Sequence, residues 1–148
     1  MRALIQRVTS ASVSVDGTVC GAIGKGYLVL LGICGTDTEA EVRRIADKMI
    51  RLRIFSDEAG KINRSLTDVG GGILLISQFT LLADARHGRR PSYIRAARPE
   101  TAVPLYEYCR DAIARAVPVE TGRFQAEMRV SLVNDGPHTI LLDSKRSF

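Results

Sequence analysis

The sequence predicts an α+β fold of mixed β-sheets with two main amphipathic helices. Three observations point there: strand-like segments outnumber helical ones, turn signals cluster early in the chain, and two stretches repeat apolar residues at helical spacing. At 148 residues the chain suits one compact domain, residues 1–148, because no repeat, low-complexity tract or linker interrupts it.

Ala11, Val13 and Val15 alternate with Ser10, Ser12 and Ser14 before Asp16-Gly17, the pattern of a half-buried strand entering a hairpin. Gly24-Lys25-Gly26 reads as a second turn. Tyr27 to Leu31 then runs apolar without alternation, as a central strand covered on both faces does. Thr38 and Glu41 have capping-box spacing, and Val42, Ile45, Ala46, Met49 and Ile50 share one face, so a first helix spans about Thr38 to Arg51. Leu52 to Phe55 and Ile62 to Leu66 read as short strands around the turn at Asp57-Glu58-Ala59-Gly60. Ile73 to Ile76, after Gly70-Gly71-Gly72, reads as a buried strand. Leu105, Cys109, Ala112, Ile113 and Ala116 mark a second helix, opened near Pro104 and stopped before Pro118. Met128, Val130 and Leu132 alternate as a late strand, and Thr139 to Leu142 continues beyond a turn at Asn134-Asp135-Gly136-Pro137.

Composition excludes several function classes. The longest strongly apolar run, Tyr27 to Ile33, is far short of the roughly 20 residues of a membrane helix. Charge breaks Met1-Arg2-Ala3-Leu4-Ile5-Gln6-Arg7 too early for a secretory signal, so a cytoplasmic protein is expected. Cys20, Cys34 and Cys109 are scattered without a Cys-x-x-Cys pair and read as buried or inert thiols, not as a disulfide framework or zinc site. His87 and His138 alone do not make a metal centre. The glycine clusters match neither a P-loop nor a dinucleotide fingerprint and read as plain turns. The formal net charge of +5 attracts a polyanion.

Three stretches carry potential chemistry. Ser77-Gln78-Phe79-Thr80 follows an apolar strand and offers two hydroxyls, an amide and an aromatic face; it reads either as a solvent-facing strand end or as a nucleoside site. In the second reading Phe79 stacks on a base, Gln78 bonds its edge, and backbone N–H groups face a developing oxyanion. Asn134-Asp135-Gly136-Pro137 is a turn signature, with His138 beside it. A histidine-based triad lacks its Gly-x-Ser-x-Gly elbow. Arg86-His87-Gly88-Arg89-Arg90-Pro91-Ser92-Tyr93 is either an exposed solubilising loop or a phosphate-binding one. Lys145-Arg146 reads as a frayed tail.

Together the stretches resemble the D-aminoacyl-tRNA deacylase family along nearly the whole chain. The resemblance is carried by Met1-Arg2-Ala3-Leu4-Ile5-Gln6-Arg7-Val8, Val15-Asp16-Gly17, Leu52-Arg53-Ile54-Phe55, Asn63-Arg64-Ser65-Leu66, Ser77-Gln78-Phe79-Thr80-Leu81, Gly88-Arg89-Arg90-Pro91-Ser92 and Asn134-Asp135-Gly136-Pro137. It implies sheets closed into a barrel-like core with the helices packed outside. The implied activity is hydrolysis of the ester between a D-amino acid, or a mischarged glycine, and the terminal adenosine of tRNA, as translation quality control. It further implies a homodimer in which a cis Gly136-Pro137 peptide enters the partner's site beside Ser77 to Thr80 and excludes L side chains. Ser77, Gln78, Phe79 and Thr80 are then the catalytic set; Gln78, Phe79, Arg89, Arg90, Phe124 and Met128 bind substrate or tRNA. Aminoacylated tRNA is the expected partner, with no membrane, DNA, metal or cofactor.

His138 and Gln125 stand where family members often carry a small apolar residue and a glycine, so the pocket rim is expected to differ. Tyr93 stands where phenylalanine is common. An aminoacyl ester is already activated, so Thr80 and Phe79 are expected to position it and stabilise the oxyanion rather than attack it, with the RNA's own 2′-hydroxyl assisting. Two rival readings are a non-catalytic RNA-binding module using Phe79, Arg89 and Arg90, and a DNA-associated factor drawn by charge.

Overall fold

The computed structural model describes residues 1–146. Its strands are β1 (Arg2–Val15), β2 (Thr18–Ile23), β3 (Gly26–Gly32), β4 (Arg53–Ser56), β5 (Ile62–Ser65), β6 (Gly72–Ser77), β7 (Val119–Thr121) and β8 (Arg129–Asp143). The helices are α1 (Glu39–Arg51) and α2 (Pro99–Ala114), with a 3-10 turn at Phe79–Leu82. The main sheet runs β2-β1-β3-β6-β7, with β8 along the other side of β1. β1 is antiparallel to β2, β3 and β8, whereas β3, β6 and β7 are parallel, so the sheet is mixed. Backbone approach of β2 to β7, where Gly21 faces the Thr121 carbonyl, brings the sheet close to a closed barrel.

The non-alternating strands fill both sides of this sheet. Tyr27, Val29, Leu31, Ile73 and Leu75 join the cluster under the helices, while Leu28, Leu74 and Ile76 join Val8, Ala11 and Val13 on the opposite face. Period-two geometry sends successive side chains to opposite faces, so a strand buried on both must be apolar throughout. α1 contributes Val42, Ile45, Ala46 and Met49, and α2 contributes Ala102, Tyr106, Cys109 and Ile113. The capping box opens α1: Ala40 N–H donates to Thr38 Oγ1, and Glu41 Oε2 accepts from Thr38 N–H at 2.9 Å.

Several sequence expectations change in detail. α2 begins at Pro99, with Pro104 inside it. Proline is preorganised for the first helical position, and Pro104, sixth along the helix, forgoes one backbone bond that packing of the apolar face offsets. Gly26 and Gly72 are more than turn residues: they pair across β3 and β6, and a Cβ on Gly26 would fall 1.9 Å from the Gly72 carbonyl oxygen. Cys34 and Cys109 are buried but Cys20 is exposed; burial pushes the Cys109 thiol up to about 12. Lys145 is tied down rather than frayed, its Nζ donating to Thr36 Oγ1 and its backbone N–H to Asp143 Oδ1.

Candidate active site

β6 ends at Ser77, and the chain turns at once into the 3-10 turn. Gln78 N–H still donates to the Leu31 carbonyl at 2.8 Å, extending the parallel ladder by one bond. Leu81 N–H then closes the turn on the Gln78 carbonyl. Gln78 provides no side-chain cap, so the leading N–H groups of the turn, those of Phe79 and Thr80, lack intrahelical partners by geometry. Gln78 Nε2 instead donates to Thr80 Oγ1. That partner is an amide, which does not take up a proton from a hydroxyl.

This turn borders a pocket of about 710 Å³. Ser77, Gln78 and Phe79 form one side, Phe124, Gln125 and Met128 another, and Tyr93, Arg98 and Pro99 the approach. Its depth is apolar, lined by Leu31, Ile33, Ile76, Ala102 and Val130. Phe124 is anchored by an edge contact with Tyr106, centroids 5.8 Å apart, and the Tyr106 hydroxyl donates to the Leu75 carbonyl at 2.7 Å. Burial raises that phenol well above its usual range, so it remains a donor. Met128 lies over Gly122, where a Cβ would meet its sulfur at 2.5 Å. Arg98 is the one charged side chain among the described residues lining the pocket; no carboxylate, imidazole or lysine lines it.

Gly32 makes the close approach behind the turn: a Cβ there would lie 2.9 Å from the Gln78 carbonyl oxygen and 3.0 Å from Leu81 Cβ. Gly32→Ala is expected to destabilise by about 1–3 kcal/mol, as overpacking does. Thermal denaturation should show a melting temperature lower by several degrees, and an unchanged value would mean that the turn yields freely.

Thr80 is exposed beside the pocket without lining it, and Arg89 and Arg90 lie on the exposed loop that follows. Asp84 and Ser92 close the base of that loop with two backbone bonds of 2.8 Å. Within it the Arg86 guanidinium holds the Asp84 carboxyl far below the usual carboxylate range through hydrogen bonds.

Gly136 and Pro137 lie elsewhere. Val8 pairs with Asn134 and Gln6 with Thr139, so residues 135–138 of β8 bulge out opposite the single residue Arg7. The intervening peptide, Gly136-Pro137, is cis. Arg7 Nε donates to the Asp135 carbonyl at 3.1 Å and pairs with Asp135 Oδ2 at 3.0 Å, while its Nη1 donates to the Ile54 carbonyl at 2.5 Å. Asn134 Nδ2 returns a bond to the Arg7 carbonyl at 2.8 Å. Arg7 is level with Tyr27 and Ile73, whereas Ser77 is level with Leu31 and Ala3. At about 3.3 Å per residue and 4.8 Å per strand, the bulge and Ser77 are roughly 20 Å apart along the sheet. One chain therefore does not bring the two motifs together.

Arg98, Pro99 and Ala102 are pocket residues outside the sequence pattern, which opens the helix near Pro104; Pro99, suited to a first helical position, is the signal for them.

Comparison with known proteins places this geometry. The family model described as D-Tyr-tRNA(Tyr) deacylase matches residues 4–143. The chain is 59% identical to a D-aminoacyl-tRNA deacylase of Chloroflexus aurantiacus over 145 residues, 97% of this chain and 91% of that one. It is 55% identical to one of Anaeromyxobacter dehalogenans over 149 aligned positions, covering 100% of both. A solved structure described as a c-Myc DNA unwinding element binding protein superposes with TM-score 0.92 at 39% identity, covering 97% of this chain and 98% of that one. Another, a probable eukaryotic D-amino acid tRNA deacylase, shares the fold at TM-score 0.80 and 16% identity, over 95% and 98% of the two chains. By its family match and these full-length relatives, the chain belongs to the D-Tyr-tRNA(Tyr) deacylase family.

Proposed function

We propose that this chain hydrolyses the ester joining a D-amino acid, or a mischarged glycine, to the 3′-terminal adenosine of tRNA, and rejects the L-aminoacyl ester. The observation that carries the reading is the pocket beside Ser77 to Phe79: at the start of an uncapped 3-10 turn it offers a hydroxyl, an amide and aromatic rings, and no acid–base pair stands among the described lining residues. A peptide's amine is a far poorer leaving group and must be protonated as it departs. An aminoacyl ester is activated enough to need mainly a placed water and a stabilised oxyanion. Phe79 and Thr80 supply the N–H donors, Ser77 and Gln78 hold the ester, and Phe124 and Met128 contact the nucleoside. The proton comes and goes through the RNA's own 2′-hydroxyl.

Chirality is read by a second copy of the chain. The bulge at Gly136 and Pro137 is exposed and is tied at Asp135 to Arg7, far from its own pocket. It rides on a long edge strand that leaves Leu132, Val133 and Leu141 substantially exposed, the kind of edge a partner covers. In a homodimer, backbone from this bulge enters the partner's pocket, accepts a hydrogen bond from the substrate's ammonium group and leaves no room for an L side chain. Glycine passes because it has no side chain to exclude. The enzyme works in the cytoplasm on aminoacylated tRNA, with no membrane, cofactor or DNA in the reaction.

The test is to incubate the protein with D-Tyr-tRNA and L-Tyr-tRNA at matched concentration and follow ester loss. Loss of the D ester alone supports the reading; loss of both, or of neither, overturns it. The likeness to a DNA unwinding element binding protein favours one alternative, nucleic acid binding without turnover. Tight DNA binding with no ester loss would establish that alternative. Thr80→Ala keeps the backbone N–H but removes the hydroxyl that holds the Gln78 amide, so it is expected to lower kcat about tenfold while leaving KM nearly unchanged, since positioning acts in the transition state. A covalent acyl group trapped on Thr80 would make it the nucleophile instead.

A further inference from the structure

The chain's entire excess of positive charge lies in one segment. Residues 86–98 contain Arg86, Arg89, Arg90, Arg95 and Arg98 and no carboxylate, whereas the whole chain has 21 Lys and Arg against 16 Asp and Glu. Outside the segment, cations and carboxylates therefore balance. Solubility alone is served by scattered charge and does not require this concentration. Arg86 is neutralised by Asp84, but Arg89, Arg90, Arg95 and Arg98 form no ion pair among the described residues.

Apolar surface lies between these cations. Phe79 is 56% exposed, Tyr93 40% and Ile94 91%. The Phe79 and Tyr93 rings meet edge to face at 5.1 Å, and both border the pocket. The charged face and the apolar one are thus continuous with the site of chemistry. A second basic chain does not match the charge, and a membrane surface has no reason to adjoin the pocket that Phe79, Tyr93 and Arg98 line; single-stranded RNA attached to the ester matches all three features, because its bases stack on aromatic and apolar faces while its phosphates meet guanidinium groups.

We infer that Tyr93, Ile94 and Arg95, flanked by Arg89 and Arg90, form a ledge that binds the unpaired nucleotides immediately preceding the terminal adenosine. The inference rests on the ester-hydrolase reading and adds a division of labour: the pocket handles the aminoacyl-adenosine, and the ledge supplies affinity for the strand to which it is attached. A free aminoacyl nucleoside has the first set of contacts and lacks the second.

Ile94→Asp and Arg95→Gln test this, because both side chains are exposed and neither lines the pocket. Each variant is assayed on D-Tyr-tRNA and on D-tyrosyl-adenosine, which has no upstream nucleotide. The expected result is a KM for D-Tyr-tRNA raised about tenfold, the size of one lost stacking contact. The kcat on D-Tyr-tRNA and the turnover of D-tyrosyl-adenosine should hold, which also reports that the variants are folded. Raising salt should erode the wild-type preference for D-Tyr-tRNA over D-tyrosyl-adenosine, as counterion release requires. Equal slowing of both esters by the variants, or equal wild-type KM values for the two, would overturn the ledge. A change of oligomeric state in Ile94→Asp, read by sedimentation, would assign the surface to a second copy and overturn it too. Wild type that cleaves neither ester would bring down the hydrolase reading itself, a separate outcome.

Discussion

D-Tyr-tRNA ending in 2′-deoxyadenosine is expected to be hydrolysed at least about a hundredfold more slowly than the natural ester, the scale of one lost general acid–base contribution. The reason is the lining of the pocket. Ser77, Gln78 and Phe79 border it, the one charged side chain among the described lining residues is Arg98, and the Thr80 hydroxyl is held by the Gln78 amide. A guanidinium carries only N–H donors and an amide does not accept the proton, so among the described lining residues this chain's own pocket offers no base for the attacking water. The vicinal hydroxyl of the ribose adjoins the reacting ester in the substrate itself. Binding should survive, because base stacking and phosphate contacts do not involve that hydroxyl. The deoxy substrate should therefore inhibit cleavage of natural D-Tyr-tRNA with a constant close to the natural KM. Equal cleavage rates for the two substrates would defeat RNA assistance and require a base from the protein.

Arg7→Met should relax the discrimination between D and L esters while lowering stability. Arg7 is nearly buried, at 7% exposure, and its guanidinium joins the bulge at Asp135 to the Ile54 carbonyl on β4. Its charge also lies over the Phe55 ring, 5.7 Å from the centroid. Methionine fills much of the same volume but donates nothing. The Ile54 and Asp135 carbonyls then lose a charged donor, at about 1.5–3 kcal/mol for such a bond. The Asp135 carboxylate is 38% exposed and rehydrates, which keeps the loss near the lower end. With its tether gone, the bulge samples positions that no longer exclude an L side chain. L-Tyr-tRNA cleavage should become measurable and D-Tyr-tRNA cleavage should fall about tenfold, checked by ester loss at a temperature where circular dichroism shows the variant folded. Retained rejection of L-Tyr-tRNA with full D activity would remove Gly136 and Pro137 from the selection step.

The sequence foretold the elements whose signals are local. The Thr38 and Glu41 capping pair fell where α1 begins, because a cap is a contact between residues three apart. The apolar run at Tyr27 to Leu31 foretold a strand covered on both faces, since side-chain direction along a strand follows from period two alone. β7 carries no local signal, because Val119 to Thr121 is too short to show a period and is held by pairing with β6. Pro104 looks like a helix opening by itself, and only the packed face beneath it shows that α2 begins at Pro99.

The same division runs through the site. Residues close in sequence to a strand end, Ser77 to Phe79, announced themselves by polar character after an apolar run, and they border the pocket with Phe124 and Met128. Composition could say that five arginines follow; only the fold shows that Arg98 lines the pocket with Phe79 and Tyr93, and that Ile94 is exposed. Asn134 to Pro137 reads locally as a chain reversal, yet it is a bulge within one long strand, since β1 pairs with β8 on both sides of it and takes up the mismatch at Arg7. Which residues share a strand, a cap or a turn was determined by the sequence itself, through interactions a few residues long. How far the bulge lies from the pocket, and hence that the two motifs do not meet within one chain, was decided only by strand register, which is set by pairing between residues more than a hundred positions apart.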